Sequence, residues 1–272
     1  MTKRLLASLG AAALLTLAAC YTNPVTGRKS LVLISQGQEV SLGAASFSDI
    51  RAKERVSQDP AANARVQRVG RRIAQAVGDA LPDAKWEFVV FDSDELNAFA
   101  LPGGKVGVYT GLLRLAESDA ELATVMGHEI GHVIARHGAE RMSEAMVMQL
   151  GGAVGAAVID AKTDDPQTRQ LFELAYGGAT TLGRTLPHSR SNELEADRMG
   201  AVYAAQAGYD PRAGITFWQK MTAQKNAKEQ SGGRLSELLS THPADAKRIQ
   251  DLQALMPQVV PIYERNRGRF ND

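Results

Sequence analysis

Two histidines four residues apart, His128 and His132, bracket the segment His128-Glu129-Ile130-Gly131-His132, with a glutamate directly after the first. On a helix, residues at i and i+4 project from one face, one turn apart. Two imidazoles in that relation can share a zinc ion, and Glu129 is rotated off the ligand axis, where its carboxylate can act as general base toward a water. The chemistry on offer is metal-assisted hydrolysis with one Zn2+ per chain. The competing reading is a solvated helix face with two idle histidines. Gly127 and Gly131 argue against it. A glycine in a helix interior costs about 1 kcal/mol relative to alanine, and two of them around the motif point to close backbone packing and a buried site.

A catalytic zinc takes a third protein ligand and keeps one position open. The metzincin pattern needs a glycine three residues and a histidine six residues after His132, and those positions hold Ala135 and Gly138. A ligand cysteine is excluded too, since the one cysteine, Cys20, lies in an N-terminal signal. A glutamate from a later helix remains. Glu193 and Asp197 are again four apart on one helix face. Glu193 can close the metal site while Asp197 accepts the free N–H of a ligand histidine and sets its tautomer. Glu195 is the competitor, but it projects to a different face from Asp197.

The elements that must carry these groups are legible in outline. Ser118 and Glu121 form a capping box that opens a helix over 119–137, with Gly138 expected just past its end. A helix from Ser35 toward Lys53 has its own box, Ser35 with Gln38. Another, Ala61 to Val77, puts Val66, Val69, Ile73 and Val77 on one face. Trp86 to Phe91, aromatic and β-branched, reads as a strand. Asn97 to Ala100 and Lys105 to Val108 flank Leu101-Pro102-Gly103-Gly104, a hairpin or sharp bend. Further helices are predicted near 142–159, 169–182, 192–207, 211–227 and 244–256. The expected fold class is α+β and mainly helical, a zincin-like arrangement with a small β-sheet beside the HExxH helix, in a single domain over 35–272.

Composition narrows the class. The 272 residues carry 31 Lys+Arg against 30 Asp+Glu, a net charge of +1, which leaves no electrostatic footprint for nucleic acid. Lys3 and Arg4 precede the apolar run Leu5–Ala19, which is too short for a membrane span of about 20 residues and reads as a secretory signal. Leu17-Ala18-Ala19-Cys20 resembles a bacterial lipobox. The expectation is a signal peptide over 1–19, a lipid anchor at Cys20, and a polar tether over 20–34. That places the chain in the bacterial envelope, lipid-anchored and facing the periplasm. Tyr21, rather than an Asp, after Cys20 favours the outer membrane.

Taken together, these residues resemble the peptidase family that contains HtpX and the CAAX prenyl endopeptidases, and most nearly its soluble bacterial lipoprotein branch. The motifs are Cys20 followed by Asn-Pro-Val-Thr-Gly-Arg, Asn97-Ala98-Phe99-Ala100 with Pro102-Gly103-Gly104, HEIGH, Glu193 with Asp197, and Ser240-Thr241-His242-Pro243. The resemblance implies a gluzincin fold with His128, His132 and Glu193 on zinc and Glu129 as base. It implies that Asn97, Ala98, Phe99, Ala100, Gly103 and Gly104 belong to an edge strand along which a substrate peptide lies extended. It implies that His242 approaches the zinc, as oxyanion stabiliser or as occupant of the open position. It further implies an endopeptidase for misfolded or unassembled envelope proteins. A chaperone-like lipoprotein with latent peptidase activity is the alternative, and intact Glu129 favours the enzyme.

Two histidines are assigned no chemistry. His137, nine residues after His128 on an unbroken helix, points away from the metal face and reads as structural or solvated, and His188 reads as incidental. Ala145–Ile159 is apolar and rich in small residues. It reads as a buried or lid helix more readily than as a membrane contact.

Overall fold

In a computed structural model, residues 20–149, 165–170, 189–230, 238–239, 242 and 246–269 are described. The signal over 1–19, most of the apolar stretch 145–159, all but the first two residues of the helix expected at 169–182, and His188 lie outside them. The described strands and main α-helices are β1 (Cys20–Thr22), β2 (Lys29–Leu31), α1 (Gln36–Lys53), α2 (Pro60–Val77), β3 (Glu87–Phe91), β4 (Ala98–Leu101), β5 (Lys105–Tyr109), α3 (Thr110–Leu115), α4 (Asp119–Ile134), α5 (His137–Gln149), α6 (Arg190–Gln206), α7 (Ala213–Gln230) and α8 (Ala246–Asn266), with a 3-10 turn at Gly78–Ala80.

The main sheet has the order β3-β5-β4, with β3 parallel and β4 antiparallel to β5. Alternation along β3 divides its side chains between two faces. Phe88 and Val90 join the α2 stripe Val66, Val69, Ile73 and Val77 and, from α4, Leu122, Val125 and Met126. Val89 and Phe91 pack with Phe99, Leu101 and Tyr109 against Phe47 and Ile50 of α1. The sheet is thus covered on both faces, and β4, its outer strand, runs against α4. Both capping boxes form. Gly103 and Gly104 make the β4–β5 turn at φ 86° and 79°, a left-handed backbone that side chains disfavour. Their carbonyls accept hydrogen bonds from Lys85 and Glu87, so these two glycines shape the turn and tie it to β3. The edge proper is Ala98–Leu101.

Three expectations change. The polar stretch after Cys20 is no loose tether: β1 and β2 pair as an antiparallel hairpin, and Asn23 is buried. The helix over 119–137 ends early, at Ile134, because Arg136 takes φ 56°. That left-handed residue is held from outside the helix. Its guanidinium donates to Glu39 at 2.6 Å and to the Ile34 carbonyl at 2.7 Å, and lies 5.2 Å from the centre of the Tyr21 ring. Gly138 therefore falls inside the next helix rather than capping this one. Finally, α8 continues through Pro257 and Pro261 to Asn266, with Arg248, Leu252 and Val259 buried along its length. Its packing on α6 and α7 overrides the stop that proline signals locally.

Candidate metal centre

Helices α4 and α6 approach closely enough that backbone meets backbone. A Cβ added at Gly200 would stand 2.7 Å from the His128 nitrogen and 2.9 Å from the Gly127 carbonyl carbon. Gly127 and Gly131 thus serve the close packing their positions implied. We expect Gly200→Ala to lower stability by about 1–3 kcal/mol, because the contact is with backbone that cannot swing aside. The same change should weaken zinc retention by parting the two helices that carry the donors. Thermal unfolding with and without added zinc checks both effects.

On those helices His128, Glu129, His132, Glu193 and Asp197 are all buried, and His242, just ahead of α8, joins them. His128, His132, Glu193 and His242 each offer one atom to a group lying within 4.8 Å of one another. The His128 and His132 Nε2 atoms are 3.0 Å apart, and His242 Nδ1 is 3.2 Å from His128 Nε2. Glu193 Oε2 lies 3.4 Å from His128 Nε2, while its Oε1 lies 3.3 Å from His132 Nε2 and 3.0 Å from His242 Nδ1. On a tetrahedral Zn2+ with bonds of about 2.0–2.1 Å, neighbouring ligand atoms stand about 3.3 Å apart. The four donors fit that ion in type and in spacing.

Protonation states agree. Burial alone would raise the Glu193 carboxyl, but the pull of His242 and Arg248 and a hydrogen bond from His128 hold it well below the usual carboxylate range. Asp197 is lowered in the same way, chiefly by Arg248 and His128 against the effect of burial. Burial pushes His132 far below the ordinary histidine value. For His128, burial and Arg248 act downward, but hydrogen bonds to Asp197 and Glu193 prevail and lift it to about 9. The carboxylates therefore draw a positive charge into the centre, either a proton on His128 or a cation among the four donors.

Asp197 stands where its spacing from Glu193 placed it, with Oδ1 2.9 Å from His128 Nδ1, so it accepts that N–H and leaves Nε2 facing the other donors. Glu129 is outside the donor group. Its Oε1 is buried with no hydrogen-bond partner, 3.6 Å from His242 Nε2. Burying a carboxylate oxygen without a hydrogen bond costs free energy, and a role in the chemistry of the site is one reason for a fold to bear that cost.

Glu195 is not in the donor group. Its carboxylate accepts from His137 Nε2 at 2.9 Å, and His137 Nδ1 lies 2.8 Å from His132 Nδ1. His137 is thus buried and bonded to a metal-site histidine, contrary to the expectation from a continuous helix. The break at Arg136 turns it back toward His132. Sequence reasoning also missed Arg248, which donates to Asp197 Oδ2 at 2.5 Å and to Oδ1 at 2.7 Å, with Nη1 2.9 Å from Glu193 Oε2. Its guanidinium carbon sits 3.4 Å from the centre of the Trp218 ring. A signal was present: Arg248 stands one turn before Leu252 on the buried stripe of α8, where an unpaired charge would be prohibitive.

Comparison with known proteins points the same way. The family model described as "Peptidase family M48" matches residues 60–256. "Mitochondrial metalloendopeptidase OMA1" of Saccharomyces cerevisiae is 29% identical over 255 residues, covering 89% of this chain and 71% of the relative. The protein of the same name from Arabidopsis thaliana is 38% identical over 192 residues, covering 70% and 36%. "Beta-barrel assembly-enhancing protease" of Escherichia coli is 28% identical over 252 residues, covering 92% and 50%. The chain spans about half or less of the last two. The resemblance to HtpX and the CAAX prenyl endopeptidases is carried at family level, since these relatives bear other names.

Proposed function

This chain belongs to peptidase family M48, a family of zinc metalloendopeptidases, and on that premise we propose that it hydrolyses misfolded or unassembled proteins of the bacterial cell envelope. The observation that carries the reading is the buried set of three imidazoles and one carboxylate at tetrahedral spacing, with the unpartnered Glu129 oxygen beside it. The envelope setting is supported by the signal-like segment before Cys20 and by the likeness to the Escherichia coli protease. A lipid on Cys20 and attachment to the outer membrane are part of the proposal. No helix among the described residues is long and apolar enough to cross a membrane.

In this reading His128, His132 and Glu193 hold the zinc, which when bound supplies a Lewis acid that polarises the scissile carbonyl and acidifies water. Glu129 accepts the proton of the attacking water at Oε1 and delivers it to the departing amine. Asp197 keeps His128 in the tautomer whose Nε2 faces the donor group, and Arg248 holds Asp197 and Glu193 in place. A substrate peptide lies extended beside Asn97–Ala100, where main-chain hydrogen bonds give affinity with little demand on sequence. The test is cleavage of casein and of a mixture of unfolded proteins by the purified chain, beside a zinc assay. Chelator-sensitive cutting of many substrates supports a scavenger, and cutting of one alone would indicate a dedicated processing enzyme. A chain that binds no zinc would overturn the reading.

His242 favours a latent variant of this function. Its Nδ1 completes the four-donor group, the position a catalytic zinc keeps open. Turnover then requires His242 to withdraw. His242→Ala is expected to raise kcat on casein several-fold with one zinc retained, read by initial rates and metal content. A fall in kcat at constant KM would assign His242 to oxyanion stabilisation instead.

A further inference from the structure

We propose that the N-terminal hairpin is a working part of the metal centre: through Asn23, Thr26 and Arg28 it clamps Glu195, and through Glu195 and His137 it orients the zinc ligand His132. The inference rests on the reading of His132 as a ligand.

Among the described residues, four donors converge on the Glu195 carboxylate, and three of them come from the hairpin. Asn23 Nδ2 donates to Oε1 at 2.9 Å, and the Thr26 hydroxyl donates to the same oxygen. Arg28 Nε donates to Oε2 at 2.5 Å, and His137 Nε2 donates to that oxygen at 2.9 Å. A carboxylate offers about four acceptor sites, so Glu195 is saturated and has one orientation open to it.

The consequence travels inward. With Nε2–H committed to Glu195, the His137 ring turns Nδ1 toward His132, whose Nδ1–H is the donor 2.8 Å away. His132 is then held in the tautomer whose Nε2 lone pair faces the donor group, which is the arrangement a metal needs.

The hairpin is built for a fixed grip. Asn23 is 2% exposed, and its Oδ1 accepts from the Val25 and Thr26 backbone N–H groups. The turn closes through Gly27 at φ 72°. Arg28 also donates to both oxygens of Glu140 at 2.7 and 2.8 Å, which ties the hairpin to α5, the helix that His137 begins. The Tyr21 hydroxyl donates to the Ile134 carbonyl at 2.5 Å, next to the helix break that turns His137 inward. These residues directly follow Cys20, so the segment that would carry the lipid is also the one that sets a metal ligand.

The test is zinc transfer from the full mature chain to a colorimetric chelator at neutral pH. Thr26→Val with Arg28→Ala is expected to weaken zinc affinity by about 10–100-fold, the usual effect of losing partners behind a ligand. Arg28→Lys should fall between that variant and the wild type. In a Glu195→Gln background the same hairpin changes should add little, since they act through that carboxylate. Arg65→Ala, which breaks the ion pair with Asp119 away from the centre, should lower Tm and leave zinc transfer unchanged. If the double variant does not fold, Thr26→Val alone carries the measurement. Hairpin variants that lose Tm yet hold zinc as the wild type does would reduce the hairpin to a structural clasp and overturn the proposal. A wild-type chain without zinc would instead sink the reading of His132 as a ligand.

Discussion

Glu129→Gln is expected to lower kcat/KM on casein by about 10²–10⁴-fold, the contribution of a positioned general base, while one zinc per chain is retained. The separation of the two readouts follows from the site. Glu129 is buried, its Oε1 has no hydrogen-bond partner, and it is not among the four donor residues. Glutamine keeps the shape and loses the ability to take a proton. The pH profile sharpens the test. Burial raises the Glu129 carboxyl above its ordinary value, with His242 and His128 pulling it partly back. A base must be ionised to act, so activity is lost as pH falls through that raised value. The acid limb of kcat/KM should lie above the ordinary carboxylate range and vanish in the variant. Undiminished cleavage would place the base elsewhere, and loss of zinc would make Glu129 part of the metal's support.

Arg248→Met should cost about 3–5 kcal/mol, a fall in Tm of roughly 6–20 °C for a chain of this size. The side chain is 2% exposed, and it donates two hydrogen bonds to Asp197, with Nη1 beside Glu193. Methionine fills much of the volume over Trp218 but leaves two buried carboxylates without their guanidinium. The sign with pH follows from their depressed folded values. Stability from such groups is present above their unfolded pKa and is lost as pH falls through the folded one. The deficit of the variant should therefore be largest near neutrality and shrink in acid, where both carboxylates are protonated. Saturating zinc should recover part of it by supplying a cation to Glu193. Calorimetry at two pH values, with and without zinc, measures all three effects. An unchanged Tm at neutral pH would mean that Arg248 does not hold the centre together.

What the amino-acid sequence determined by itself is local. The i, i+4 spacing of His128 with His132 and of Glu193 with Asp197 is a property of one helix at a time. So are the capping boxes at Ser35 and Ser118, each closed within three residues. The aromatic and β-branched run of β3 and the glycine turn before β5 are likewise readable from neighbours, because steric preference and hydrogen bonding act over a few residues.

Tertiary structure decided what depends on distant partners. That Glu193 and not Glu195 joins the four-donor group depends on which of two carboxylates on one helix faces α4, and the hairpin supplies the partners that hold Glu195 on the other side. The helix break at Arg136 depends on Glu39 and the Ile34 carbonyl, about 100 positions earlier, and without it His137 would point away from His132. His242 and Arg248 reach His128 across 114 and 120 positions. No periodicity encodes those meetings. They exist because burying the α6 and α8 faces brings charged groups together in a dry interior, where each must find a partner or unfold the site.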